Sequence, residues 1–240
     1  MNLLNHMKHV EQIERDIVDN KLDTLVMGMG PTARLLPWID RKLLLGIRLW
    51  GCHDFFRVMP VDDLVLMDSP NNSPRIKMGS ETMDIICNSR PKRLWMHQPN
   101  AWLWKPHLHR SMESVTEEVN FFVWHRPLFE GDEERPEKFM LEWPRPHCGY
   151  VSPLAATTLA WREGARRIGV LGVEMGPDHP NSFPNRQRVD EWFCEIAAQA
   201  HEKDGLIKNL SPITYLHKFK DWVYIPEPEE APDESAQLPS

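Results

Sequence analysis

The chain has 240 residues, 41% of them hydrophobic and 26% charged, with a formal net charge of -7. That composition supplies an ordinary core under a charged surface, and it argues against a protein that grips a long stretch of nucleic acid, because counterion release needs clustered Lys and Arg. No run reaches the roughly 18 to 20 apolar residues of a spanning helix, and Met1 to Asn20 is broken by His6, Lys8, Glu11 and Glu14, so neither a signal peptide nor an anchor is expected and the expected location is cytoplasmic.

Residues 3–20 place Leu3, Leu4, Met7, Val10, Ile13 and Ile17 at helical spacing, an apolar stripe suited to a sheet face or to the seam of a homo-oligomer. Asp23 to Gly28 is a short apolar run ending in a glycine-rich turn, and Pro31 suits the first turn of a helix that continues through Ala33-Arg34-Leu35-Leu36. Further apolar runs read as strands at Ile47–Gly51, Asp63–Met67, Arg93–Met96, Asn120–Trp124, Ile168–Val173 and Gly205–Leu210. Several are continuous rather than alternating, as strands covered on both faces require. Helices are expected over Leu154–Gly164, with Gly164 at the C-terminal end, and from about Arg186 to Lys203. The expected fold is therefore α/β, a Rossmann-like, mostly parallel sheet flanked by helices. One domain spans 1–225, with irregular insertions at about 69–92 and 125–150 and an acidic, proline-rich, disordered tail at 226–240.

Four cysteines, Cys52, Cys87, Cys148 and Cys194, lie far apart without a C-x-x-C spacing, so no metal and no disulfide is assigned. Ten tryptophans are present, six of them from Trp95 to Trp161. Core packing is the first reading for them, and a flat platform for a sugar, a base or a protein partner is the second.

The chemistry-bearing residues gather where the predicted strands end. Gly28-Met29-Gly30-Pro31-Thr32 follows the first strand and opens a helix, so its amides and the helix dipole would face an anion such as phosphate, unless the glycines serve only a tight turn. It is neither a G-x-G-x-x-G fingerprint nor a P-loop. His53 and Asp54 end the second strand, Asp68 and Ser69 the third, and in an open α/β sheet ligands bind beyond the carboxyl ends of strands. Asp54 also reads as a helix N-cap, His53 as a structural histidine, and Ser152 as the cap of the Leu154 helix. After the Ile168 strand come Glu174, Asp178 and His179, which would act as acid, base or electrostatic elements or else as a solvated loop.

These blocks, in this order, resemble the bacterial sialyltransferases of glycosyltransferase family 42 and the related MptE-like proteins, which include pterin diphosphokinases and flagellar glycosylation accessory factors. The counterparts of that family's motifs are Gly28 to Thr32, Cys52-His53-Asp54-Phe55, Asp68-Ser69-Pro70, Val151-Ser152-Pro153, Gly164 through Glu174, and Asn209 through Leu216. The match is discontinuous and covers about half the chain. Met29, His53, Pro153 and Glu174 depart from the asparagine, asparagine, glycine and aspartate of the pattern. The resemblance implies a variant GT-A fold that cradles a nucleotide-sugar donor, most simply a CMP-type one, with Gly28, Met29, Gly30, Pro31, Thr32, His53, Asp54, Asp68, Ser69, Ser152 and Glu174 around it. It implies no metal and places His179 as the general base; on the residues' own chemistry, Asp178 would assist it and His53 is the other candidate base. The MptE-like branch implies instead Mg²⁺-dependent pyrophosphate transfer from ATP, with Asp68, Glu174 and Asp178 around the metal. A non-catalytic nucleotide-binding or interaction module is the third reading.

Overall fold

The computed structural model describes residues 3–67, 91–97, 118–122, 141–142, 151–176 and 185–223. The insertion expected at 69–92 lies outside them except for 91–92, that at 125–150 except for 141–142, and the tail at 226–240 entirely.

Chain order begins with helix α1 (Leu3–Asp19), strand β1 (Thr24–Met27), a 3-10 helix (Pro31–Trp38), the short helix α2 (Arg41–Leu44), β2 (Arg48–Cys52) and a 3-10 turn (His53–Arg57). Then follow β3 (Asp63–Leu66), β4 (Arg93–His97), β5 (Glu118–Phe122), α3 (Ser152–Arg162), β6 (Arg167–Leu171), α4 (Asn185–His201), β7 (Leu206–Asn209) and α5 (His217–Lys220). The seven strands form one sheet in the order β5-β4-β3-β2-β1-β6-β7, and every neighbouring pair is parallel. No helix among the described residues is long and apolar enough to cross a membrane.

Both faces of the sheet are covered, and the pleat sorts the strand residues between them. Val26, Trp50, Val65, Trp95, Ile168 and Val170 join one apolar cluster with Leu154, Leu159 and Trp161 of α3 and Val189, Phe193 and Ile196 of α4. Their strand neighbours Leu25, Met27, Leu49, Leu64, Leu66 and Leu94 join the other, with Val10, Ile13 and Ile17 of α1. The α1 stripe thus packs on the sheet, and the continuous apolar runs are explained by burial on both sides. Trp95 and Trp161 are core residues, as the packing reading expects. Gly164 ends α3 with φ +97°, its amide bonding Trp161 O while Ala165 N bonds Ala160 O, a Schellman-type stop that only glycine adopts without strain.

Two expectations shift in detail. The segment after β1 is a 3-10 helix rather than an α-helix; Pro37 inside it has no amide to donate, which suits short i to i+3 turns better than a continuing α-ladder. Strand β5 begins two residues earlier than its apolar run, at Glu118.

At the amino ends of the strands sits a charged cluster. Asp63, 1% exposed, accepts hydrogen bonds from Arg48 Nε at 2.6 Å and Nη2 at 3.0 Å, from Arg93 Nε at 2.8 Å and from Trp95 Nε1 at 2.8 Å. The guanidinium of Arg48 lies over Trp50 and that of Arg93 over Trp95. Arg93 also pairs with Glu163 beyond the end of α3.

Candidate functional site at the carboxyl edge of the sheet

Strands β1 to β5 are laid down outward in one direction, and the chain then returns to place β6 on the other side of β1. The strand order reverses between β1 and β6, so the loops leaving these two strands diverge at their carboxyl ends and frame the crevice where doubly wound folds bind ligands. The first of these loops is Gly28–Thr32 and the second runs from Gly172 through Gly176.

The two loops are laced together. Gly28 N donates to Leu171 O and Gly30 N to Gly172 O, each at 2.8 Å. Thr32 N donates to Glu174 Oε1 at 3.0 Å, and the Thr32 hydroxyl bonds the same oxygen. Thr32 Oγ1 also lies 3.1 Å from Ser211 Oγ, which in turn accepts from Gly172 N at 3.1 Å. The anion that meets the Thr32 amide is thus an internal one, the Glu174 carboxylate. The glycines have the same explanation: a Cβ on Gly28 would run into Gly172 O, and one on Gly30 would overlap Glu174 Oε2. Gly172 itself has φ +78° and Met175, just past Glu174, has φ +51°, so the second loop is held in a conformation that most residues resist.

Glu174 is 8% exposed. Its Oε2 has no hydrogen-bond partner among the described residues, and burial pushes its carboxyl pKa above the usual range, with the Thr32 hydroxyl and amide bonds pulling the other way. Glu174 Oε2 is one of nine buried side-chain polar atoms without a partner among the described residues, and what distinguishes it is its carboxylate chemistry at the switch-point crevice.

On the other flank of β1, His53 follows β2 directly. Its φ of +50° puts a non-glycine residue in the left-handed region, a strain of order 1–2 kcal/mol that persists where surrounding structure imposes it. The ring Nε2 contacts Ser152 Oγ at the first turn of α3. Ser152 is not the cap of that helix, since Val151 occupies the cap position without a side-chain bond. Asp54 likewise stands inside the 3-10 turn, with Cys52 as its N-cap residue. The adjacent Cys52 is fully buried, which pushes its thiol pKa far up and removes it as a nucleophile.

Of the residues singled out from the sequence, Gly28, Met29, Gly30, Pro31, Thr32 and Glu174 therefore come together at the β1/β6 crevice. His53 and Ser152 pair beside it. Asp68, Ser69, Asp178, His179 and the side chain of Asp54 lie outside the described residues. No group of three His, Cys, Asp or Glu among the described residues is arranged to hold a metal ion.

The resemblance marked Asn209 through Leu216 only as a block, and gave no individual role to three of its residues that the fold brings to the same edge. Ser211 binds both loops, Thr214 Oγ1 donates to Val173 O at 3.3 Å, and Tyr215 N donates to Glu174 O at 2.8 Å. The polar Ser-x-x-Thr-Tyr run after an apolar strand was the available signal, because such residues past a strand end face the ligand edge. In comparison with known proteins, the chain matches no family model, no curated protein and no solved structure, so its site is read from its own residues.

Proposed function

We propose that the chain is a glycosyltransferase-like enzyme that binds a nucleotide-activated sugar at the β1/β6 crevice and transfers the sugar to a hydroxyl acceptor. The observation that carries this reading is the His53–Ser152 pair, a histidine in a strained backbone, on the same carboxyl edge as the buried, half-satisfied Glu174 carboxyl, where parallel sheets bind nucleotides. In the resting protein the Ser152 hydroxyl bonds His53 Nε2. When an acceptor hydroxyl takes that place, His53 removes its proton, the acceptor oxygen bonds to the anomeric carbon, and the bond from that carbon to the donor phosphate oxygen breaks. The proton ends on His53 and the electron pair on the departing nucleotide, where Ser152 donates a hydrogen bond.

The test is calorimetric titration of CMP, CDP, UDP, GDP and ATP with and without Mg²⁺, followed by turnover of the matching nucleotide sugar. His53→Gln is expected to lower the rate about 100-fold or more while donor Kd changes less than about threefold. Full activity in that variant would remove His53 from the chemistry. Tight ATP binding that requires Mg²⁺, with pyrophosphate transfer, would replace sugar transfer by the second reading. If no nucleotide binds, an interaction module takes its place.

A further inference from the structure

The carboxyl edge carries a feature that the chemistry above does not use. Tyr215 follows β7, is 39% exposed, and is tied by its own amide to Glu174 O at 2.8 Å. The guanidinium of Arg186, in the first turn of α4, stands 4.8 Å from the centre of its ring. Gly176, at the end of the β6 loop, faces the ring edge, where even a Cβ would come within 3.5 Å. Tyr215 thus keeps a ring partly exposed at the carboxyl edge while a planar cation lies over one face of it, adding charge where an anionic ligand would lie.

Along the carboxyl edge, His53 stands past β2, Thr32 past β1, Glu174 past β6 and Tyr215 past β7, on four adjacent strands. Neighbouring strands are about 4.8 Å apart, so this row spans roughly 14 Å. The reacting bond belongs at the His53 end.

Resting on the nucleotide-donor reading, we infer that Tyr215 and Arg186 form the nucleoside end of the site. The base or ribose face stacks on the open face of the Tyr215 ring, and the charge of Arg186 attracts the anionic nucleotide to that end, so the donor lies across the edge with its phosphate and sugar toward Ser152 and His53. Every base has a π-face, so this platform fixes the ligand's direction without choosing among bases.

The experiment measures binding of CMP, AMP, cytidine, adenosine and inorganic phosphate by calorimetry to the full chain and to Tyr215→Leu, Tyr215→Phe, Arg186→Ala and His53→Gln, with thermal unfolding of each variant as a control. Tyr215→Leu keeps apolar bulk and removes the ring, and is expected to weaken nucleotide and nucleoside alike by about tenfold or more, the size of one base–aromatic stack. Tyr215→Phe keeps wild-type affinity within about threefold, because the ring and not the hydroxyl is used. Arg186→Ala weakens the nucleotides and leaves the nucleosides unchanged, and His53→Gln changes neither. Undiminished CMP and AMP binding to folded Tyr215→Leu overturns the platform while leaving the nucleotide reading in place. Equal losses in Tyr215→Leu and Tyr215→Phe overturn the stacking argument. Absence of any nucleotide binding to the unmodified chain overturns both proposals together.

Discussion

Two buried carboxylates sit at opposite ends of the same sheet, and they are treated differently. Asp63, at the amino ends of the strands, receives four hydrogen bonds, three from guanidinium groups and one from an indole. Glu174, at the carboxyl edge, receives its side-chain bonds from the amide and hydroxyl of Thr32, both on Oε1, and its Oε2 is left over. Burial raises the pKa of both groups. At Asp63 the Arg48 and Trp95 hydrogen bonds and the Arg48 charge oppose that rise, whereas no cation does so at Glu174. The Asp63 carboxylate serves the fold: it is bonded on both oxygens and has no acceptor left for a ligand, although Arg93 Nη2 beside it is buried without a partner among the described residues. A half-satisfied one is costly to keep unless something later uses it.

Breaking the Asp63 cluster should have the largest effect. Asp63→Ala leaves two guanidiniums without their counter-charge, and is expected to cost about 3–5 kcal/mol in urea unfolding, toward the lower end because Arg48 stays one-third exposed. Ligand affinity in the folded fraction should not change, and a change there would show that the two ends of the sheet are not separable.

At the other end, Gly30→Ala forces the Glu174 carboxyl off the loop, with an expected loss of about 2–3 kcal/mol. Adding Glu174→Ala removes the clashing group, so the double variant should be more stable than the sum of the single losses predicts, by about 1–2 kcal/mol. Strict additivity in that cycle would mean the glycine is required for some other reason.

The third effect is a slope with pH. Because the folded-state pKa of Glu174 lies above its unfolded value of about 4.3, the native state binds more protons in that window. The contribution of this group is fully present below the unfolded value and is lost as pH rises through the folded one. Comparing unfolding free energies of wild type and Glu174→Gln from pH 4 upward should show the variant gaining relative stability as pH increases. A flat difference would mean that the carboxyl titrates normally.

The smallest effect on stability belongs to His53→Gly. Relief of a left-handed backbone, worth about 1–2 kcal/mol, offsets loss of the Ser152 hydrogen bond, worth about 0.5–1.5 kcal/mol, so unfolding should move by less than about 1 kcal/mol. Turnover should nevertheless collapse, separating a functional histidine from a structural one.

The sheet was readable from the chain because each strand is a short apolar run between polar breaks, and continuous burial of β1 and β3 is written in Thr24-Leu25-Val26-Met27 and in Leu64-Val65-Leu66. The edge that carries the site was readable too, since polar residues cluster just past those runs. The partners were not. Thr32 and Glu174 are 142 residues apart, and no periodicity records which strand returns beside β1. For that reason the two loop glycines, read from the sequence as making room for a phosphate or a tight turn, prove to accommodate Gly172 and Glu174. Pro37 carried the signal for a 3-10 helix, but the apolar spacing around it imitates an α-helix. Tyr215 was marked only as part of the polar block after β7, and its own role was not legible until its neighbours Glu174 and Arg186 were placed.

The long separation between the two laced loops also has a kinetic side. Strands β1 to β5 are adjacent in space in the order in which they are made, so their pairing closes comparatively short loops. The β1–β6 pairing closes a far longer one, and contacts of that kind form late and slowly. Until β6 docks, Gly28, Gly30 and Thr32 have no acceptors for their amides, and the crevice does not exist. Docking of β6 on β1 is therefore also the step that begins to assemble the site, so a chain stalled before it would keep a partial sheet while being unable to hold any ligand there.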